Sequence, residues 1–548
     1  MMTPFNPRTA LETHDVTNQP PPFEDIDIFR TDKAFVNAVA QAGAGCHASR
    51  LSAFGIRCGS AEALDWAMQA NRNPPQLKVF DRYGERIDEV EFHPAYHALM
   101  AMGLGAGVSS VAWSGIEAGH VLHAALEFLM AQCEPGVCCP MTMTYAALAA
   151  LVHAPSVAES WRPKILAGGY DQASKPARFK SAVTIGMAMT EKQGGSDVRA
   201  NTTRAEKQGD GSYRLVGHKW FCSAPMSDAF LTLAYTEKGL GCFLVPRWLP
   251  DDSRNLLFLM RLKDKLGDRA NASAEIEFHG AYGELLGEEG RGVRTIIDMV
   301  QHTRLDCLVA PAAYMRQALA NALWHTAHRT AFQKKLIDQP LMGRVLADLA
   351  VESEAATALA FRIARSFDEA ASSASAALFQ RIATPIGKYW VNKRAVNFVY
   401  EAMECHGGGG YIEESVMPRV YRQSPLNSIW EGSGNVICLD VLRALAREPE
   451  TAEALMTELE QARGGNQALD EAIAFLKSSL AKPIAEESAR YLVERAALAL
   501  QASLLVQTAP SAVADAFCVL RLASQSHCYG ASAAAIDIDA IIARAMPA

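Results

Sequence analysis

The segment SIWEGSGN (428–435) sets one carboxylate, Glu431, between a tryptophan and a Gly-Ser-Gly turn, with PRVYRQSPLN before it and the apolar run VICLDVL after it. An acid there either transfers protons or is an ordinary helix N-terminal carboxylate favoured by the helix dipole. Two further glycine segments stand out, MAMTEKQGGSD (187–197) and CHGGGGY (405–411). Glycine lets backbone approach a ligand closely, and adjacent Ser, Thr and Asn offer neutral hydrogen bonds to a polar, phosphate-bearing molecule. None of the three is a GxGxxG after a strand, and none carries Lys-Ser/Thr at P-loop spacing, so the usual dinucleotide and triphosphate readings fail. His93 and His97 have the i, i+4 spacing of metal ligands but no acidic or cysteine partner, which makes them packed or surface histidines. Cys405-His406 reads as a thiol packed beside a glycine turn, and GGSDV lacks the GxSxG elbow of a serine hydrolase.

These residues need a scaffold. At 548 residues the chain is too long for one core, and 49% hydrophobic with 20% charged residues describes a globular protein of several packed units. A net charge of −8 does not steer the chain to nucleic acid through its average field. The start has no apolar leader, and no run approaches the roughly 18 apolar residues of a membrane span, so a cytoplasmic protein is expected. Twelve scattered cysteines without a CxxC fit reduced, packed thiols.

Residues 1–40, with TNQPPPFEDIDIF, read as an extended arm, although helical spacing already begins near 33; a helical domain is assigned to 41–182. GDGSYRLVGHKWFCS, AFLTLAYT, GCFLVPRWLP and ASAEIEFHG then alternate with period two between turn residues, giving a β domain over 183–285. Helical period returns over 286–450, with Val293, Ile296, Ile297 and Val300 expected on one face. The tail, 451–548, carries a regular stripe of Ala489, Leu492, Val493, Ala496, Ala497 and Leu500 and reads as a further packed helical unit.

In order and spacing, MTEKQGGSD, GHKWFCS, KLGDRANASAEIEF, GRGVR, HRTAF, GGGGYIEE, PRVYR and IWEGSGN resemble the acyl-CoA dehydrogenase family over about 180–445. NPP, FHPAYH, TEKQGGSD and the extra tail resemble its AidB-type branch, the alkylation-response flavoproteins. The resemblance implies an acyl-CoA dehydrogenase-like fold with an all-α N-terminal domain, a middle β-barrel domain and a C-terminal helical bundle. To these the branch adds an extra C-terminal helical domain. It also implies noncovalent FAD and a homo-oligomer, usually a tetramer. Carried over by residue, Met187, Met189 and Thr190 lie at the flavin, with Met189 and Thr190 at its pyrimidine edge, and Gly195 and Ser196 lie at the pyrophosphate. Phe221 places a ring against the isoalloxazine and Ser223 a hydroxyl near N5. Trp430, Gly432, Ser433 and Asn435 line the cofactor, the last two at its phosphate and ribose portion. Arg329, Phe332 and Gln339 match positions that reach a neighbouring subunit's FAD, and Gly408 and Gly409 belong to the glycine run at the cofactor.

By the same resemblance Glu431 is the base that takes the α-proton of an acyl-CoA thioester while the β-hydride goes to flavin N5. Partial burial beside Trp430 is expected to raise its pKa towards working pH. Some relatives carry the base before an Arg in the helix, a slot that here is Thr303, which leaves Glu431 as the matching carboxylate. Departures from the pattern are Phe332-Gln333 for Phe-Gly, Glu404 where a Gln is usual, and Phe221 for a Trp, with Trp220 expected to point to the opposite strand face. Two functions follow: an FAD-dependent dehydrogenase of short or branched acyl thioesters, or a flavoprotein binding double-stranded DNA through its C-terminal helices. The tail, with seven basic residues against eleven acidic ones and a net charge of −4, is a poor electrostatic match to DNA.

Overall fold

Helix starts in the N-terminal unit are marked by side chains that satisfy otherwise free amides. In the computed structural model of the chain, which describes residues 13–524 and 526–547, Asp32 accepts from the Phe35 amide and opens α1 (Lys33–Gln41). After α2 (Ala48–Cys58), Ser60 caps α3 (Ala61–Arg72) in the same way. A hairpin of β1 (Gln76–Phe80) and β2 (Arg86–Glu91) follows, and the His93 ring then caps α4 (Pro94–Ala106). Helices α5 (Gly119–Cys133) and α6 (Cys138–Leu151) are buried almost throughout, and α7 (Pro155–Ile165) closes the unit.

Two expectations are corrected here. The arm ends at residue 32, because α1 buries Phe35 and Val39 in the core. Its described part lies on the chain's own surface, with Trp324 Nε1 donating to the Pro21 carbonyl at 2.8 Å; residues 1–12 of the arm lie outside the described residues. The N-terminal unit is also not all-α, since it carries the β1–β2 hairpin.

The middle unit contains β3 (Ile185–Ala188), β4 (Arg204–Lys207), β5 (Tyr213–Ser223), β6 (Ala229–Thr236), β7 (Gly239–Pro246), β8 (Leu257–Leu262) and β9 (Ser273–Leu286). Neighbours run β6-β4-β5-β9-β7, and β7 returns to β6, so five strands close into a barrel. β3 adds parallel to β6, and β8 adds to β9. Along β7, Phe243 and Val245 join the barrel's own core while Cys242 and Leu244 join a second core shared with α6 and α7. Both faces are therefore buried, and the strand docks the barrel onto the helices.

The C-terminal unit is built on α8 (Gly292–His328), whose 37 residues span about 55 Å. Its first buried positions are Gly292, Thr295, Ile296 and Met299, so the buried face is turned from the expected stripe: Val293, Ile297 and Val300 are only partly covered. A short hairpin of β10 (Thr330–Ala331) and β11 (Lys334–Lys335) leads to α9 (Pro340–Glu369), α10 (Ala374–Glu404), α11 (Met417–Gln423) and α12 (Gly434–Arg447). The tail adds α13 (Glu450–Glu460), α14 (Gln467–Leu480), α15 (Ala489–Thr508), α16 (Ser511–Phe517) and α17 (Ile538–Ala545). All six residues of the expected tail stripe are buried in α15. Ion pairs also tie the tail to α9: Arg521 reaches Asp348 and Glu352, and Arg544 reaches Glu354.

Candidate active site

Glu431 occupies a strained turn held by cations from two helices. Its φ is +57°, in the left-handed region that costs a residue with a side chain about 1–2 kcal/mol, and Gly432 follows at φ +104°. The buried ammonium of Lys388, on α10, donates to the Trp430 carbonyl at 2.9 Å and to the Gly432 carbonyl at 2.7 Å. From α8, Arg304 Nε donates to the Glu431 carbonyl at 3.1 Å, while its Nη1 pairs with Asp440 of α12 at 2.8 Å. Hydrogen bonds to charged donors are worth about 1.5–3 kcal/mol each, so this clamp outweighs the backbone penalty. Burial lowers the Lys388 ammonium to about 8, with the Cys307 thiol and the Glu431 carboxylate opposing the shift.

The Glu431 side chain is half-buried and faces the Thr303 hydroxyl of α8. Burial raises its carboxyl above the usual range, against the nearby Thr303 hydroxyl and the charges of Arg304 and Lys388. From the barrel side, Cys139 of α6 lies close enough to feel both the Ser223 hydroxyl and the Glu431 charge. Trp430, Met187 and Met189 pack against one hydrophobic cluster, to which Cys139 also belongs.

Thr190 and Gly195 touch across the TEKQGGSD turn, where a Cβ on Gly195 would stand 2.3 Å from Thr190 Oγ1. The turn is pinned by Glu191, whose carboxylate accepts from the Thr202 and Thr203 amides and from Lys219 Nζ at 2.9 Å in a fully buried pair. Burial acts to raise the Glu191 carboxyl, yet the Thr203 and Thr202 hydrogen bonds and the Lys219 charge hold it at about 2. Ser196 is exposed, Ser433 begins α12 without capping it, and Asn435 accepts from Arg490 of the tail at 2.8 Å.

Strict alternation fails at Trp220-Phe221. Pairing steps from Lys219↔Ile276 to Cys222↔Ala274, a β-bulge that puts both rings on one side, and Lys263 Nζ lies 3.4 Å from the Trp220 centroid and 4.9 Å from that of Phe221. Trp220 therefore does not face away, and Phe221 remains 48% exposed at the rim.

The remaining candidates lie elsewhere. Arg329 follows Thr303 by 26 residues, about 39 Å along the α8 axis. Phe332, 93% exposed, tips the β10–β11 hairpin, and Gln339 donates to the Ala331 carbonyl at 3.1 Å. Gly408 and Gly409 stand open beside this end, where His406 and His325 are 4.8 Å apart. The structure does not bring these five residues to the Glu431 turn of the same chain. Glu404, next to the run, is exposed. His97 Nδ1 meets the Tyr170 hydroxyl at 2.8 Å, and no metal-holding cluster occurs among the described residues.

Sequence profiles match over three segments: the adaptive response protein AidB N-terminal domain over 18–172, and the acyl-CoA dehydrogenase middle and C-terminal domains over 186–281 and 290–446. AidB of Escherichia coli (strain K12) is 46% identical over 514 residues, 93% of this chain and 95% of that protein. The chain belongs to the acyl-CoA dehydrogenase family, in its AidB-type branch. It is an oxidoreductase of the type that acts on CH–CH groups. Among solved structures of the family, Caenorhabditis elegans ACDH-11 in complex with C11-CoA superposes with TM-score 0.85 at 27% identity, covering 93% of this chain and 94% of that one. An acyl-CoA dehydrogenase from Bacillus anthracis complexed with FAD shares the fold at TM-score 0.63 and 17% identity, covering 78% and 82%.

Against that family frame, Lys388, Arg304, Asp440, Glu191 and Lys219 are the residues that sequence reasoning missed. Arg304 had a signal in HTRLD, and Glu191 one inside TEKQGGSD. Lys388 sits in an apolar helical run, and nothing local marks it.

Proposed function

We propose that this acyl-CoA dehydrogenase removes two hydrogens across Cα–Cβ of an acyl-CoA thioester, with Glu431 as base and a noncovalent FAD as resident cofactor. The observation that carries the reading is the clamp that fixes the Glu431 turn between α8 and α10, with its carboxylate near Thr303 and Cys139. The residues present fit the cofactor: the hydroxyls of Thr190, Ser196 and Ser433 have no side-chain partner among the described residues, the Phe221 ring is exposed at the rim, and the Gly408-Gly409 backbone is open. Bound FAD supplies the acceptor for the hydride leaving Cβ.

The chain's own groups do the rest. Burial makes the Glu431 carboxylate more basic, and Thr303, Arg304 and Lys388 keep it ionised enough to accept the α-proton. The carbonyl clamp prevents the acid from swinging away, and Gly432 keeps the turn thin where the thioester passes. Beside Thr303, the His302 ring packs on Trp113, Tyr145 and Phe367 at 5.1–5.4 Å, a filled aromatic wall that supports a short or branched acyl group. Arg329, Phe332, Gln339, Gly408 and Gly409, too distant for their own chain's site, support a tetramer in which they meet a neighbour's FAD.

The test is anaerobic titration of the flavin-loaded protein with butyryl-, isovaleryl- and C11-CoA, following the flavin band. Bleaching by the short or branched thioesters that vanishes in Glu431→Gln is expected. No bleaching with any thioester would overturn the dehydrogenase reading, and bleaching by C11-CoA alone would overturn the short-chain assignment.

A further inference from the structure

A cavity of about 530 Å³ opens between the arm, α3, the middle of α8 and the segment before α11, and its walls include none of the Glu431 turn. Arg316, where α8 enters it, lies 13 residues from Thr303, about 20 Å along the helix. The volume is that of a small-molecule site. The lining is split by chemistry. Ile26 and Ile28 of the arm and Leu64 and Met68 of α3 are apolar, whereas Arg72, Arg269 and Arg422 are cationic. Leu64, Met68 and Arg72 are spaced i, i+4, i+8 along one face of α3, so the helix grades from apolar to cationic across the cavity.

The three guanidiniums gather on one acid. Arg422 is bidentate to the Glu413 carboxylate, Arg72 Nη2 donates to the Glu413 backbone carbonyl at 3.2 Å, and Arg269 adds to the positive field on the same carboxylate. Hydrogen bonds from Arg422, with the fields of Arg422, Arg72 and Arg269, hold the Glu413 carboxyl below its ordinary value. The Arg269 side chain makes no hydrogen bond or ion pair among the described residues. By contrast, Arg316 and Arg419 of the same cavity are each neutralised, by Asp32 at 2.9 Å and Glu134 at 2.6 Å. Glu24 and Glu414 also line the cavity, so its charges nearly balance, and what stands out is Arg269, whose planar fork has no partner among the described residues at the end of an apolar trough.

We propose that this cavity binds an amphipathic anion, a fatty chain ended by a carboxylate or a phosphate. The chain lies on Ile26, Ile28, Leu64 and Met68, and the head group is taken by Arg269 with Arg72. Removing the chain from water drives binding at about 25 cal/mol per Å² of apolar surface covered, and the guanidiniums select the anionic head. The site is distinct from the Glu431 turn and does not depend on the dehydrogenase reading.

Calorimetric titration of the full-length, FAD-loaded protein with dodecanoate, dodecyl phosphate, dodecanol and inorganic phosphate tests the proposal. Dodecanoate or dodecyl phosphate is expected to bind at one site per chain, the tighter of the two naming the head group. Dodecanol and inorganic phosphate should bind at least tenfold more weakly. Arg269→Gln and Met68→Glu, at opposite ends of the trough, should each weaken the preferred amphiphile at least tenfold while leaving the flavin spectrum unchanged. Inorganic phosphate binding as tightly as the amphiphiles, amphiphile binding untouched by both variants, or its complete displacement by butyryl-CoA would each overturn the site. Because heat is the readout, the result stands whether or not any thioester bleaches the flavin.

Discussion

The Thr303 hydroxyl of α8 donates to the Val300 carbonyl at 3.1 Å and lies near the Glu431 carboxylate, so the position where some relatives carry their base here supports the base on the opposite turn. A hydroxyl dipole beside a carboxylate favours its ionised form. Thr303→Val removes that support from an acid already raised by burial, and the acid limb of the kcat/KM profile should move to higher pH. A limb that stays in place would show that another group titrates there.

Lys388→Met keeps the length of the side chain and deletes two donors from the Trp430 and Gly432 carbonyls. With Arg304 alone on the turn, the carboxylate loses its aim, and a displacement near 1 Å costs about 10²-fold in rate. Stopped-flow reduction of the flavin should slow by about that factor, with thioester affinity little changed. An unaltered rate would mean that Arg304 suffices.

The Glu191–Lys219 pair sets an acid limit on stability. The Glu191 carboxyl is held at about 2 in the folded chain, below its unfolded value of about 4.3, so its contribution is complete above the unfolded value and is lost as pH falls through about 2. The linkage is worth about 3 kcal/mol at full extent. Tm measured between pH 5.5 and 2.5 should fall less steeply in Glu191→Gln/Lys219→Met, which removes both charges together. An equal slope would place the acid sensitivity elsewhere.

Phe332 and Gln333, at φ +50° and +65°, form a two-residue hairpin tip that Asn-Gly adopts more readily. Phe332→Asn with Gln333→Gly should leave Tm of the flavin-free chain unchanged or higher and, if the proposed tetramer sets Phe332 on a neighbour's FAD, weaken FAD retention by about tenfold, about 1.4 kcal/mol of ring contact. Undiminished retention would remove Phe332 from the neighbour's site.

For the tail, Arg463, Arg521 and Arg544 are engaged in ion pairs and Arg490 holds Asn435. Few cations are left to release counterions from a phosphate backbone. Duplex DNA retention measured from low salt upward should therefore be absent, or show a log–log slope near zero. A slope of several units would restore the nucleic-acid reading.

The regions legible in sequence share a simple burial pattern. The α15 stripe reads directly, because one face is covered and the other is not. β7 alternates just as regularly, but between two cores, so its period is hidden in an unbroken apolar run. The α8 stripe was misplaced for a related reason: Thr295, a polar residue, lies on the buried face, and Val293 and Ile297 stand at its margin. Trp220-Phe221 defeats period two because a bulge inserts one residue, and a bulge is a property of two strands rather than one. At the site, Glu431 and its glycines could be read because they are contiguous. The clamp could not, because Lys388, Arg304 and Asp440 meet it from three separate helices.

In the proposed tetramer, a helix as long as α8 gives each subunit two addresses, one at its own Glu431 turn and one about 39 Å away at the hairpin. Damage at the two addresses is then separable by mixing. Chains inactive at 431, mixed with chains weakened in FAD retention at 332, should give more turnover when co-assembled than either gives alone at limiting FAD, because some sites in the hybrid draw each half from an intact donor.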